Sequence, residues 1–127
     1  MDNQNNNSLL YNLLIGYHKT KEPLEQEVGD YLRAHTYAPK KFSNALRHQY
    51  ASAVFANQYS PMEAKLLGYA NEALPLSGIG DLKIDINNNT IGREYAQQHP
   101  NLTKEQYLEG LFNNLVPEKY RKDKPWI

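Results

Sequence analysis

A chain of 127 residues is long enough to bury the hydrophobic core of one domain. Its 14 basic and 14 acidic residues give a formal net charge of +0, which argues against broad attraction to nucleic acid or to an anionic membrane but leaves a local patch open. Because cysteine is absent, disulfides, thiolate metal sites and cysteine nucleophiles are excluded. We expect a cytoplasmic or virion protein that binds no nucleic acid and has no membrane span.

The sequence divides by composition into three segments. Residues 1–7 are polar and rich in Asn, and they predict an N-terminal tail. Residues 8–116 carry apolar residues at helical spacing and predict one helical domain, and residues 117–127 predict a C-terminal tail. No alternating β pattern of useful length is present. The predicted fold is therefore all-α, a single compact domain of about six helices around a central buried helix.

Three helices are predicted in the first half of the chain. Ser8 suits the N-cap of a helix over 9–17, and Pro23 suits the first turn of a second helix that ends at a loop over 35–39. The third helix is predicted over about 40–57, and apolar residues wrap nearly the whole circumference of its second half. We expect this third helix to be the central one.

Three further helices are predicted in the second half. Ser60 and Glu63 form a capping box that opens a helix ending near Ala73. A loop rich in Gly and Pro then leads into the fifth helix, which contains residues 81–93. A second capping box, Thr103 to Gln106, opens the last helix, whose apolar face is formed by Tyr107, Leu108, Leu111, Phe112 and Leu115.

The fifth predicted helix carries a strip of polar residues along one side. The spacing i, i+3, i+4, i+7, i+8 places five residues on that side: Asp85, Asn88, Asn89, Gly92 and Arg93. Apolar residues, Ile84 and Ile91 among them, lie on the flanking arcs. Asn is a poor residue for a helix interior because its amide competes for the backbone. The strip therefore predicts side chains that bind other protein groups, an ion or a ligand.

Three short motifs follow one another in a characteristic order. Arg47-His48 lies in the third predicted helix, Asn71-Glu72 lies near the end of the fourth, and residues 85–93 read Asp-Ile-Asn-Asn-Asn-Thr-Ile-Gly-Arg. This order resembles a poorly characterised all-helical domain family of bacterial and phage-encoded proteins. The pattern of that family is Arg-His, then His-Glu, then Asp-x-x-Asn-Asn-x-x-Gly-Arg.

The resemblance covers about residues 43–93 and includes two departures. Asn71 stands where the family pattern has His, and Asn87 stands where His is common. The resemblance implies an all-helical fold and a shared polar centre. Besides the candidate catalytic residues described next, it implies four binding residues at that centre: Arg47, Asn71, Asn88 and Asn89.

A hydrolase is one function that such a polar centre would serve. If the helices bring them together, the candidate catalytic residues are His48, Glu72, Asp85 and Arg93. Glu72 or His48 would be the general base, and Arg93 would stabilise developing negative charge. In a metal-assisted form, His48, Glu72 and Asp85 would hold a divalent cation such as Mg, Mn or Zn that activates water. The substrate would be a cell-envelope component or a phosphoester.

The other interpretation is a buried and fully paired network that holds helices together. Arg93 would then neutralise Asp85 or Glu72, and His48 would hydrogen-bond inside the core. We favour this interpretation slightly, which predicts a small helical interaction or structural protein without a cofactor. The resemblance adds a phage-encoded, virion- or ejection-associated setting, and we expect a protein partner or a homo-oligomer.

Overall fold

The computed structural model describes residues 21–58, 62 and 82–122 of the chain, and these residues form four α-helices. We number them α1, which covers 21–35 of the described residues, α2 (Pro39–Gln58), α3 (Leu82–Gln98) and α4 (Lys104–Leu115), and a 3-10 turn follows at Glu118–Tyr120. Within the described ranges no strand forms, and the only β-type pairing is an isolated bridge between Thr36 and Arg121.

The predicted all-α class is confirmed, with four helices in the described residues instead of about six. These four correspond to the second, third, fifth and sixth predicted helices. The predicted helix over 9–17 lies outside the described residues, as do the tail over 1–7 and, apart from Met62, the predicted helix over 60–73.

Helix α2 is the central element, as its sequence predicts. It packs against both α3 and α4, and its apolar side chains Leu46, Ala53 and Phe55 are almost completely buried. Helix α1 adds Leu24, Val28 and Leu32 at intervals of four residues, and α4 adds Tyr107, Leu108, Leu111 and Phe112. Because burying one large apolar side chain contributes roughly 1.5–3 kcal/mol, this cluster supplies most of the stabilisation of the fold.

The end of α4 joins a segment that the sequence assigns to a tail. The guanidinium of Arg121 donates to the backbone oxygens of Val116 (3.0 Å) and Asn113 (2.6 Å), and so satisfies carbonyls that the end of α4 leaves without helical partners. Thr36 Oγ1 donates to the carbonyl of Tyr120 at 2.7 Å. Residues 117–122 therefore lie packed against the connection between α1 and α2.

Tyr50 links α2 to α1 through a buried hydroxyl. The Tyr50 hydroxyl donates to Glu27 Oε2 at 2.5 Å, while the ring lies in the core. Burial raises the pKa of the Tyr50 hydroxyl far above its ordinary value of 10.0, and the hydrogen bond to the Glu27 carboxylate adds to the effect. The fold therefore favours the neutral phenol, and this stabilisation is complete below about pH 10 and is lost as the pH rises above it.

We predict that Tyr50→Phe weakens the loss of stability at alkaline pH. At neutral pH the substitution should cost about 1.5–3 kcal/mol, because one hydrogen bond to a carboxylate disappears. Above about pH 10 the parent should lose about 1.4 kcal/mol more per pH unit than the variant, because only the unfolded parent releases this proton. Urea unfolding measured from pH 8 to 11 tests this. Tyr37→Phe, at an exposed ring, is the control, and equal slopes in parent and Tyr50→Phe would contradict the prediction.

Candidate functional site

Helix α3 turns its polar strip, and not Ile84 and Ile91, toward α2. Asp85, Asn88 and Asn89 are only 7%, 7% and 5% exposed. Ile84 and Ile91 are 52% and 40% exposed. This arrangement is the reverse of an ordinary amphipathic helix, in which the apolar stripe faces the protein. The strip predicted from spacing is therefore an internal surface, and its partners are side chains of α2.

Two hydrogen bonds between amide-containing side chains connect the strip to α2. Gln49 Nε2 donates to Asn88 Oδ1 at 3.0 Å, and both residues are buried. Asn44 Nδ2 donates to Asp85 Oδ1 at 3.2 Å, one and a half turns earlier on α2. A buried amide that lacks a partner costs about 1–3 kcal/mol, so the bond between Gln49 and Asn88 removes a penalty of that size, and the bond from the exposed Asn44 gives the buried Asp85 carboxylate a donor.

His48 lies between the two bonds and contacts the strip through both ring nitrogens. Its Nδ1 is 3.1 Å from Asn89 Oδ1, and its Nε2 is 3.4 Å from Asp85 Oδ1. The contact with Asn89 is a hydrogen bond, whereas the contact with Asp85 is an ion-pair contact that carries charge only when the ring is protonated. In either state the two nitrogens that would serve a general base point at protein oxygens.

The close approach of α3 to α2 depends on Gly92. A Cβ atom at this position would lie 1.9 Å from the backbone oxygen of Gln49 and 2.7 Å from its carbonyl carbon. Such distances are far inside van der Waals contact, and the obstacle is backbone that cannot rotate away. Gly92 therefore lets the two backbones meet, which brings the short side chains of Asp85, Asn88 and Asn89 within reach of α2.

The two arginines of the candidate set lie at the edge of the network. Arg93 donates to Thr90 Oγ1 at 3.4 Å, one turn earlier on α3, and not to Asp85. Arg93 follows Asp85 by eight positions, which is about 12 Å along the helix axis, and this separation explains why the expected ion pair does not form. Arg47 makes long bonds, both 3.4 Å, to Ser43 O and Asn44 Oδ1. Arg47 thus contacts the network only through Asn44.

The remaining candidate residues, Asn71 and Glu72, lie outside the described residues. Of the three predicted metal ligands, the structure therefore describes only His48 and Asp85. Among the described residues, no group of three or more His, Asp or Glu is suited to hold a metal ion. The expected pairing of Arg93 with Glu72 likewise stays a prediction.

Asn44 and Gln49 belong to the site but are absent from the residues predicted from sequence. Gln49 carried a usable signal, because it follows Leu46 by three residues and precedes Ala53 by four, within the buried stripe of α2. A Gln at such a position needs a buried partner. Asn44 carried no comparable signal, since it lies on an exposed part of α2 and only its amide reaches Asp85.

Comparison of the chain with protein-family models, with curated proteins and with solved structures gives no match. Within the described residues, no helix is both long and apolar enough to cross a membrane. The fold and the site together define a small all-α domain in which a buried polar network joins the central helix to α3.

We predict that Gly92→Ala destabilises the protein by about 2 kcal/mol or more, because the new methyl group forces α3 away from the Gln49 backbone. Gly29→Ala is the matched control. At Gly29 the nearest atom to an added Cβ is the end of the Arg33 side chain, at 3.3 Å, which can move. That variant should gain up to about 1 kcal/mol from helix propensity. Thermal unfolding compares the two, and equal stabilities would show that close approach at Gly92 is unnecessary.

We also predict energetic coupling between Gln49 and Asn88. Gln49→Leu and Asn88→Leu should each cost about 1–3 kcal/mol, because each leaves one buried amide unsatisfied. The double variant should cost at least about 1 kcal/mol less than the sum, since it removes both amides. Denaturant unfolding of the four proteins measures this. Combining Gln49→Leu with Asn87→Leu, on the exposed face of α3, should give additive effects. Additivity in the Gln49 and Asn88 pair as well would refute the coupling.

Proposed function

We propose that this chain is a small helical structural or interaction protein, in which the polar network between α2 and α3 fixes how the helices pack. One observation carries the proposal. Among the described residues, every buried side-chain nitrogen and oxygen atom has a hydrogen-bond partner, and the partners of the α3 strip are side chains of α2. Groups that are fully paired with one another are typical of a scaffold, because they are not available to a substrate.

The network would act by excluding other arrangements of the two helices. If α3 slid by one turn along α2, about 5.4 Å, then Asp85, Asn88 and Asn89 would lose their partners together. At about 1–3 kcal/mol for each buried unsatisfied group, the shifted packing is disfavoured by several kcal/mol. An apolar interface of the same size would tolerate such a slide at lower cost. The polar strip thus contributes specificity of packing more than net stability.

A hydrolase is the second candidate, and the contact between His48 and Asp85 favours it. A carboxylate beside a histidine is the arrangement that orients a general base. However, the other ring nitrogen of His48 is 3.1 Å from Asn89 Oδ1, and a base must present one nitrogen to the substrate. Catalysis would require Asn89 to leave this position, and a metal-assisted reaction would require Glu72 to complete the ligand set. The scaffold role needs neither.

An interaction role implies a partner, and it specifies that partner only by class. A protein partner or a second copy of the chain stays a prediction, as does the phage-encoded, virion- or ejection-associated setting that the resemblance implies. The exposed apolar residues Tyr37, Ile84 and Ile91 are the kind of side chain that a protein interface uses.

The two candidate functions predict different responses to divalent metals. We expect no change in melting temperature when EDTA is replaced by Mg, Mn, Zn or Ca, because the network is complete without an ion. A metal at about 100 times its dissociation constant would add about 2.7 kcal/mol to the stability, which a thermal melt detects readily. A shift by one metal that disappears in Asp85→Ala would overturn the scaffold proposal in favour of the hydrolase.

The same melts should show that Asp85 stabilises the fold. Asp85→Ala should cost about 2 kcal/mol, or roughly 8 °C, because the Asn44 amide and one nitrogen of His48 lose their acceptor. Glu94→Ala removes a carboxylate from the exposed face of α3 and is the matched control. We expect it to change stability by less than about 0.5 kcal/mol. An Asp85→Ala variant as stable as the parent would contradict the scaffold role.

A further inference from the structure

One end of the molecule carries lysine and tyrosine side chains from two distant parts of the chain. The bridge between Thr36 and Arg121 and the bond from Lys122 N to His35 O (2.8 Å) bring the segments together. We call the result the lysine–tyrosine surface, and it consists of Tyr37, Lys41, Lys119, Tyr120 and Lys122.

Aromatic rings hold the ammonium groups of this surface in place. Lys41 Nζ and Lys119 Nζ lie 5.2 Å and 5.1 Å from the centroid of the Tyr120 ring. Lys122 Nζ lies 5.6 Å from the centroid of the Tyr37 ring and donates to Arg33 O at 3.2 Å. Cation–π contacts of this kind reduce the freedom of the lysines before any ligand binds.

The lysines of this surface form no ion pair with a carboxylate of the described residues. Within the described part of the chain, no carboxylate oxygen lies within 4 Å of Lys41, Lys119 or Lys122, or of the adjacent Lys40. Arg33 differs, because it forms an ion pair with Asp30. Among the described residues, four lysines without an ion-pair partner lie on the two segments that meet here, and they favour a positive local potential in a chain whose formal net charge is +0. That potential is complementary to a polyanion.

Tyr37 makes this surface suitable for more than charge recognition. Its side chain is 65% exposed, next to Lys122. An exposed ring among cations is the combination that binds unpaired bases by stacking while the lysines contact phosphates. A base inside a duplex is stacked on both faces and cannot stack on such a ring, and an acidic peptide carries no base to stack on it.

We propose that the lysine–tyrosine surface binds single-stranded nucleic acid without sequence preference, with Tyr37 stacking on a base and the lysines contacting the phosphate backbone. This inference goes beyond the proposed function, because it adds a nucleic-acid partner to the protein partner expected there, and it departs from the sequence-based expectation that the chain binds no nucleic acid. The net charge excludes only broad attraction. A local surface is compatible with it, because charges beyond about 10 Å are screened at physiological salt.

Fluorescence anisotropy with a labelled oligo-dT of about 16 nucleotides tests the proposal on the intact chain. If Lys41, Lys119, Lys122 and the adjacent Lys40 each contact a phosphate, the slope of log affinity against log salt is near −3, so affinity should fall about 50-fold between about 50 and about 200 mM salt. The triple variant Lys41→Gln, Lys119→Gln, Lys122→Gln should bind weakly, with a fall of only about 3-fold. The control replaces Lys21 in α1, Lys83 in α3 and Lys104 in α4 by Gln, and it should bind like the parent.

Tyr37 variants separate stacking from charge. Tyr37→Ala should lower affinity by at least about 5-fold at every salt concentration without changing the salt slope, whereas Tyr37→Phe should retain binding. The proposal would be overturned if the two triple lysine variants lost equal affinity for oligo-dT, or if Tyr37→Ala bound like the parent. Equal affinity of the parent for duplex DNA, polyglutamate or anionic vesicles would also overturn it.

Coupling between Gln49 and Asn88 is measured by unfolding alone. If that coupling is found while oligo-dT does not bind, the partner assignment fails and the scaffold role stands.

Discussion

The cost of burying an unsatisfied polar group is the constraint on which the packing of α3 depends. Asp85, Asn88 and Asn89 are buried, so each needs a hydrogen-bond partner, and each finds one on a side chain of α2. Short side chains reach those atoms only because Gly92 lets the two backbones touch. Close approach and hydrogen bonding are therefore one requirement, and neither would persist without the other.

Helix α2 consequently serves two kinds of interface on different faces. Toward α1 and α4 it presents large apolar side chains, whose burial is favourable in many similar arrangements. Toward α3 it presents Asn44, His48 and Gln49, which are satisfied in only one arrangement. Stability thus comes mainly from the first interface and uniqueness from the second. The hydroxyl of Tyr50 adds one specific contact within the apolar interface, by bonding Glu27 of α1.

Sequence patterns predicted what depends on local chemistry. The capping box at Thr103 forms, with both reciprocal bonds, because it needs only residues three apart. Helical spacing predicts the polar strip of α3 for the same reason, since it puts Asp85 and Asn88 on one side. The spacing does not say whether the strip faces other protein groups or a ligand. Spacing cannot decide this, because the answer lies in α2, some forty residues away in sequence. The packing of residues 117–122 was missed because the partner of Tyr120 is the distant Thr36.

Net charge also shows the difference between what the sequence contains and where the fold positions it. A net charge of +0 is a property of the whole chain, yet a charged ligand at one surface responds to the charges within about one Debye length of it. The segment around Tyr120 and the beginning of α2 are about eighty residues apart, and the fold places a lysine of each close to the same ring. Carboxylates that offset these lysines in the net charge, such as Glu27 and Asp85, form hydrogen bonds in other parts of the fold. Neutrality of the whole chain therefore does not prevent a cationic surface from forming where distant segments meet.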